Sequence, residues 1–538
     1  MKSQLEQFIN DLTARIEPLA KQLAEAYWEA SLTGSDEAAQ RVSTLETQYR
    51  LIFADREQFE QLKTFQAANQ NISTQLSRQL HLLLLEFTSE QLAPETIKEL
   101  VRQQTAIEQV FTRHRAVVEG EEMNDNAIRD VLKTELDHRK RQIVWEGSKQ
   151  IGRKVAENLV ALAHLRNQAA RTVGFDNYYQ MSLSLHEIDS TFLAETVSQM
   201  EDLTNEPFSE MKSKLDDNLA RRFGVDVEAL RPWHYADVFF QEAPNVSKVN
   251  FDELFAKLDI VDLAKDFFRG INLSIDDLVE KSDHYERPGK NQHAFCIHID
   301  RKGDVRVLAN VRPTVKWMET MLHEYGHAVY DKQLDSALPF TLRTPAHLIT
   351  TEATAMLMGR LAHNAEWLDC MIGLPPELKK LISDETKEAF RLRMLIFVRW
   401  AMVMICFERE FYRDPDQDLN TLWWDLVERF QFLARPEGRN EPDWAAKIHI
   451  ATAPVYYHNY LLGEIVASQL QYTIDCHILD ATGVTETGYV NEKRMGEYLR
   501  EKVFKPGSSV HWNELLVDAT GEKLNPQYLV NQLIGRLY

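Results

Sequence analysis

Apolar residues recur three and four positions apart from the start of the chain. Leu5, Phe8, Ile9, Leu12, Ile16 and Leu19 would line one face of a helix. The pattern breaks at turn signals: LTGSDE at 32–37, EGEEMND at 119–125, and Gly174 after NQAARTV. Helical periodicity then continues to about residue 230 without strand–helix alternation, which predicts a mainly α protein. One region changes period. HAFCIHID at 293–300 and DVRVLANV at 304–311 are short and β-rich, and the RKG turn between them predicts an antiparallel hairpin. From about Thr314 a helix follows, with Trp317, Met321, Leu322, Tyr325, Ala328 and Val329 as its apolar stripe. A hairpin in this place offers an edge strand with which an extended peptide can pair.

Composition narrows the class. The chain of 538 residues is 44% apolar, enough for a large core, and has no Pro/Gly/Ser-rich linker or fixed-period repeat. With 61 basic and 82 acidic residues the net charge is -21, which argues against nucleic-acid binding. Cys296, Cys370, Cys406 and Cys476 lie far apart and form neither a disulfide framework nor a cysteine metal site. The first helix is amphipathic rather than a leader, and the most apolar stretch, 394–407, carries Arg399 and is too short to span a bilayer. The expectation is a reduced, cytoplasmic, soluble protein with no membrane partner.

The chemistry concentrates in HEYGH at 323–327. On a helix His323 and His327 share a face, where two neutral imidazoles can reach one tetrahedral zinc ion. Glu324 stands beside them, placed to take a proton from water that zinc has activated. The metzincin arrangement would need Gly at 330 and His at 333, where this chain has Tyr330 and Gln333. A glutamate on a following helix is the other way to complete the site. Glu352 lies 25 residues after His327, in ITTEATAMLMGRLA, where Ala355, Leu357, Met358 and Leu361 keep helical spacing. A carboxylate on so apolar a helix needs a partner.

From these residues outward the chain resembles the angiotensin-converting enzyme family of zinc peptidyl-dipeptidases. It is more distantly similar to thimet-type oligopeptidases and prokaryotic carboxypeptidases. NQAAR at 167–171, HYADVFFQ at 234–241, LR at 342–343, WWDL at 423–426, KIHI at 447–450 and YHNY at 457–460 resemble family segments in the same order. The resemblance implies a two-lobed helical ellipsoid around a deep cleft. Residues 1–538 would form a single peptidase domain, with 1–120 as a helical lid region and 121–538 as the catalytic core. It implies one zinc per chain, His449 as a proton donor and Tyr460 as the oxyanion partner. Gln241, Lys447 and Tyr457 would hold the substrate's C-terminal carboxylate. His293 and Ala294 would bind its main chain. Lys447 and His449 lie two apart, so in an extended segment they would point the same way.

The implied function is release of dipeptides from the C-terminus of short peptides, with Glu324 as general base. An oligoendopeptidase that cuts internally is the rival enzyme, and an inactive helical peptide-binding protein the rival of another class. The chain departs from the family pattern in places. One extra residue separates His449 from the tyrosines, so Tyr456 competes with Tyr457 for the carboxylate. Met356 stands where the family has an aspartate. Val427 and Asn459 stand where it has chloride-binding arginines, so chloride activation is not expected.

Overall fold

The computed structural model describes residues 2–68, 72–235, 237–244, 249–481 and 487–535. It is mainly helical, and its strands form two small antiparallel hairpins. Five helices open the chain: α1 (Lys2–Thr33), α2 (Asp36–Phe53), α3 (Arg56–Ala67), α4 (Thr74–Ser89) and α5 (Pro94–Arg113). Their boundaries follow local chemistry. Ser35 caps α2 by accepting from Ala38 N, and Asp55 caps α3 by accepting from Gln58 N. Between α1 and α2, Gly34 takes a left-handed conformation and lies against the Gly289 carbonyl, where a Cβ would come within 2.5 Å.

The first four helices share their own apolar cluster. Leu5, Ile9, Leu12 and Ile16 of α1 meet Phe53, Leu62, Phe65, Leu80, Leu83 and Phe87, with Phe340 of the main body completing it. Two further devices tie this layer down. Trp28 of α1 packs on Phe295, Ile297, Ile299 and Leu308. Arg78 of α4 binds Glu187 through both guanidinium nitrogens and donates to Ser508 O (2.9 Å). By contrast, Ile107 of α5 belongs to the main core.

A first hairpin, β1 (Ala116–Val118) with β2 (Glu121–Met123), turns at Glu119 and Gly120, the stretch whose composition signals a break. The second, β3 (Phe295–His298) with β4 (Val305–Leu308), stands immediately before the HEYGH helix, as the period change predicts. The far edge of β4 is covered, because Asp283 N donates to Val307 O and Ala309 N to Asp283 O. The free edge of the hairpin is therefore that of β3.

Three helices cross beneath it: the HEYGH helix (Val315–Lys332), the Glu352 helix (Leu348–Gly359) and the Tyr457 helix (Tyr457–Thr473). Thr314 caps the first, and His347 caps the second by accepting from Ile349 N (2.9 Å). Small residues let the backbones meet. A Cβ on Gly326 would lie 2.8 Å from Ala355 Cα, and one on Gly463 would lie 3.3 Å from Glu352 Cβ. Met321, Leu322, Tyr325, Ala328 and Val329, five of the predicted stripe, are fully buried, while Trp317 is only partly so.

Candidate metal centre and peptide cleft

His323, His327 and Glu352 come together as the periodicity requires. One donor atom from each falls within 4.8 Å of the others, and theirs is the one such cluster among the described residues. Glu352 Oε2 is 3.9 Å from His323 Nε2 and 4.0 Å from His327 Nε2. These separations are a little wider than the roughly 3.4 Å edge of a tetrahedron with 2.1 Å bonds. The imidazoles stand nearly perpendicular, at 86°. Burial holds His323 down to about 4 and His327 to about 3, so both rings are neutral ligands at pH 7. His327 Nδ1 bonds Thr351 Oγ1 at 2.7 Å, which fixes the ring and leaves Nε2 for a metal. Two nitrogens and a carboxylate oxygen, half-buried together, suit zinc.

Glu324 is 9% exposed on the same helix. Burial, then the Glu352 carboxylate, pushes its carboxyl up to about 8, while a hydrogen bond from the Cys296 backbone N–H opposes the rise. That N–H lies on the free edge of β3, so the strand orients the carboxylate. Ala294 is two residues before Cys296 and turns its backbone groups to the same edge. His293 precedes the strand, is exposed, and donates its N–H to Asn291 Oδ1 (3.0 Å).

The other wall carries the remaining predicted residues. Lys447 is 7% exposed, donates to Gln241 Oε1 (2.7 Å), and lies 5.1 Å from the Trp400 ring and 5.6 Å from the Tyr457 ring. Among the described residues no carboxylate lies within ion-pair distance of it. Burial draws its ammonium down to about 8, with Asp237 and Glu242 opposing. Gln241 sits on a turn built by Asp237, whose buried carboxylate accepts from Phe239, Gln241 and Glu242 N–H groups. His449 lies tilted against Tyr457, with 5.3 Å between rings, and its Nδ1 is buried without a partner among the described residues. Burial and then Lys447 hold it down to about 4.

Lys447 and His449 reach one site without an extended segment. Lys447 follows a 3-10 helix (Asp443–Ala446), and His449 opens a helical turn (His449–Thr452). The tyrosines divide by side. Tyr457 lies against Lys447 and Trp400, whereas Tyr456 and Tyr460 feel the Glu352 carboxylate, with their rings 5.1 Å apart. The division is set at Val455, which holds a left-handed φ of 54° while its N–H donates to the buried Glu408 (2.7 Å). Glu408 and Thr351 carry no motif of their own, and Asp237, inside HYADVFFQ, takes no role from the resemblance. Thr351 could have been noticed only as the neighbour of Glu352.

The angiotensin-converting enzyme family model matches residues 1–219 and 242–531. The chain belongs to this peptidase family. Its members are zinc metallopeptidases, and the triad described above is where this chain can hold a metal. The unmatched stretch, 220–241, contains Gln241, whose place beside Lys447 therefore rests on geometry.

Among curated proteins the chain is similar to Carboxypeptidase 1 of Bacillus subtilis, 26% identical over 272 residues, covering 45% of this chain and 52% of that one. It is similar to Thermostable carboxypeptidase 1 of Pyrococcus furiosus, 26% identical over 231 residues, covering 39% and 45%. With Angiotensin-converting enzyme of Rattus norvegicus it shares 23% identity over 274 residues, covering 48% and 20%. The chain thus spans about half the length of the two carboxypeptidases and a fifth of the rat enzyme. No helix among the described residues is long and apolar enough to cross a membrane.

Proposed function

We propose that the chain is a zinc peptidase that releases dipeptides from the C-terminus of short peptides. The observation that carries this reading is Lys447: a buried ammonium, unpaired with any described carboxylate, hydrogen-bonded to Gln241 in the wall that leads to the triad. A charge so placed needs an anionic partner, and a peptide's terminal carboxylate supplies one.

His323, His327 and Glu352 would hold the zinc, whose chemistry there is Lewis acidity, polarising the scissile carbonyl and acidifying water. With a bound cation opposing the rise that burial causes, Glu324, steadied by the Cys296 N–H, would take a proton from the attacking water at its carboxylate and pass it to the leaving amine. The Tyr460 hydroxyl donates to the oxygen on which negative charge develops, a contribution of a few kcal/mol in such sites. His449 Nδ1, buried and unpartnered, is free to bond substrate or to hand on a proton. Lys447, Gln241 and Tyr457 would seize the terminal carboxylate, and His293 and Ala294 would bind the main chain. The first four helices, as a lid, would keep bulk water and folded proteins out.

One unblocked pentapeptide tests the reading by mass spectrometry of its products. The expected products are a tripeptide and a dipeptide, followed by a second dipeptide and a single residue. Sequential loss of single C-terminal residues would make it a carboxypeptidase instead, and cutting that ignores the chain end would make it an oligoendopeptidase. Binding without hydrolysis would leave the inactive peptide-binder.

A further inference from the structure

On the HEYGH helix, Asp331 lies one turn past His327 and two turns past Glu324. Spacings of four and seven place it on the face that carries both. It therefore continues the floor of the cleft. Its neighbours lie away from the carboxylate clamp. Cys296, midway along β3, feels the charges of both Glu324 and Asp331. His298, two residues on, has Nδ1 3.9 Å from Asp331 Oδ1. In contrast, the path from Lys447 to the triad runs through Tyr457, Tyr460 and Glu352. Asp331 and Lys447 thus stand on opposite sides of the metal ligands.

The carboxylate has no adequate partner of its own. No hydrogen bond to it is found among the described residues, and its side chain is 16% exposed. His298 Nε2 accepts from Gly303 N (3.2 Å), which leaves a proton on Nδ1 but no charge, because burial holds that imidazole down to about 4. The nearest cation is Arg301. Its guanidinium is spent elsewhere, over the Phe340 ring (4.5 Å) and donating to Phe340 O (3.3 Å). Burial accordingly pushes the Asp331 carboxyl up to about 7, with Arg301 opposing. Beyond His298 and Arg301 a cavity of about 520 Å³ opens against the first helices, lined also by Glu17, Glu46, Glu86 and Lys21, with Glu17 paired to Lys302.

We infer that Asp331 is a specificity-determining residue, forming an acidic subsite on the amino side of the scissile bond that takes a lysine or arginine side chain of the peptide. This rests on the peptidase reading above, because the clamp fixes which way the peptide runs. Such a side chain would give the carboxylate the cation it lacks. An acidic side chain would meet repulsion.

The test uses the zinc-loaded full chain and a series of neutral peptides carrying Lys, Gln or Glu at each of the three positions preceding the scissile bond. The cut itself is located by mass spectrometry. At one position kcat/KM should favour Lys over Gln by about tenfold, and Gln over Glu, the scale of a partly desolvated charge pair. Asp331→Asn should bring the Lys/Gln ratio to about one, and Asp331→Glu should retain most of it. Zinc content of one per chain checks each variant, and Asp331→Ser replaces the Asn variant if that one does not fold. A wild-type ratio near one at every position, or a preference that survives loss of the carboxylate, overturns the inference. The proposed dipeptide release fails separately, through cuts at other bonds, and the ratio is then counted from the observed cut. If nothing is hydrolysed, the same Lys/Gln ratio read from peptide dissociation constants decides.

Discussion

Removing the negative charge from a substrate's C-terminus should expose the cost that Lys447 imposes on the free enzyme. Lys447 is 7% exposed, and burial brings its pKa from 10.5 to about 8. Losing one partner of a desolvated charge pair costs about 2–4 kcal/mol, roughly 30- to 1000-fold in kcat/KM at 1.36 kcal/mol per decade. The assay compares one peptide as free acid and as amide across pH 6–10. Metal-site titrations affect both substrates and cancel in the ratio. Below pH 8 the ammonium is intact and the acid should win by the full factor. Above pH 8 the preference should fall by about tenfold per pH unit as the free lysine loses its proton. Lys447→Met should abolish the preference. The same substitution should stabilise the substrate-free protein. For a lysine whose folded pKa is depressed, the penalty is fully present below the folded pKa, about 3 kcal/mol at pH 7, and vanishes as pH rises toward 10.5. Equal turnover of acid and amide at pH 7, or a preference flat through pH 8, would refute the role given to Lys447.

Glu324→Ala should retain zinc by elemental analysis yet lose hydrolysis, whereas Glu352→Ala should lose zinc itself; near-normal turnover in Glu324→Ala would remove the general base. Glu408→Ala strips the Val455 N–H of its acceptor and should lower both kcat and stability by about 1–3 kcal/mol, while Glu408→Gln, which keeps a carbonyl oxygen there, should restore most of the activity. Burial pushes the Glu408 carboxyl up to about 8, so its contribution is whole below pH 4.5 and drains away as pH rises to 8. Urea midpoints over that range should decline less steeply for Glu408→Gln. Replacing chloride by acetate at fixed ionic strength should barely change turnover. Val427 offers no donor, Asn459 carries no charge, and the buried Lys149 already has Asp443 and Asp237 offsetting its own. Saturable, several-fold activation would show that another cation has rebuilt an anion site.

What could be read in the sequence followed helix geometry. His323 and His327 meet because four residues make about one turn, and Glu352 could be placed because its helix advertises an apolar face. The clamp was harder to read. Lys447 and His449 fall in a short curl between a 3-10 helix and a single helical turn, too brief to show any period. The three-residue strands at 116–118 and 121–123 fail for the same reason. Choosing Tyr457 over Tyr456 as the neighbour of Lys447 depends on a left-handed valine, and nothing nearby in sequence announces it. The acceptor that accompanies this conformation, Glu408, lies 47 residues earlier.

Where Gly326 meets the Ala355 backbone and Gly463 meets the Glu352 and Met356 side chains, the three ligand-bearing and cleft-lining helices are seated closely on one another. The entropy of gathering the ligands is therefore surrendered when the chain folds, not when the ion arrives. A loop-borne site crystallises around its ion and falls apart without it, whereas this one is a socket. Chelated enzyme should stay folded and regain full turnover within a mixing time of adding zinc. Synthesis and activation become separable events: a metal-free stock can accumulate in zinc-poor conditions and come into service, with no refolding step, whenever the ion is supplied.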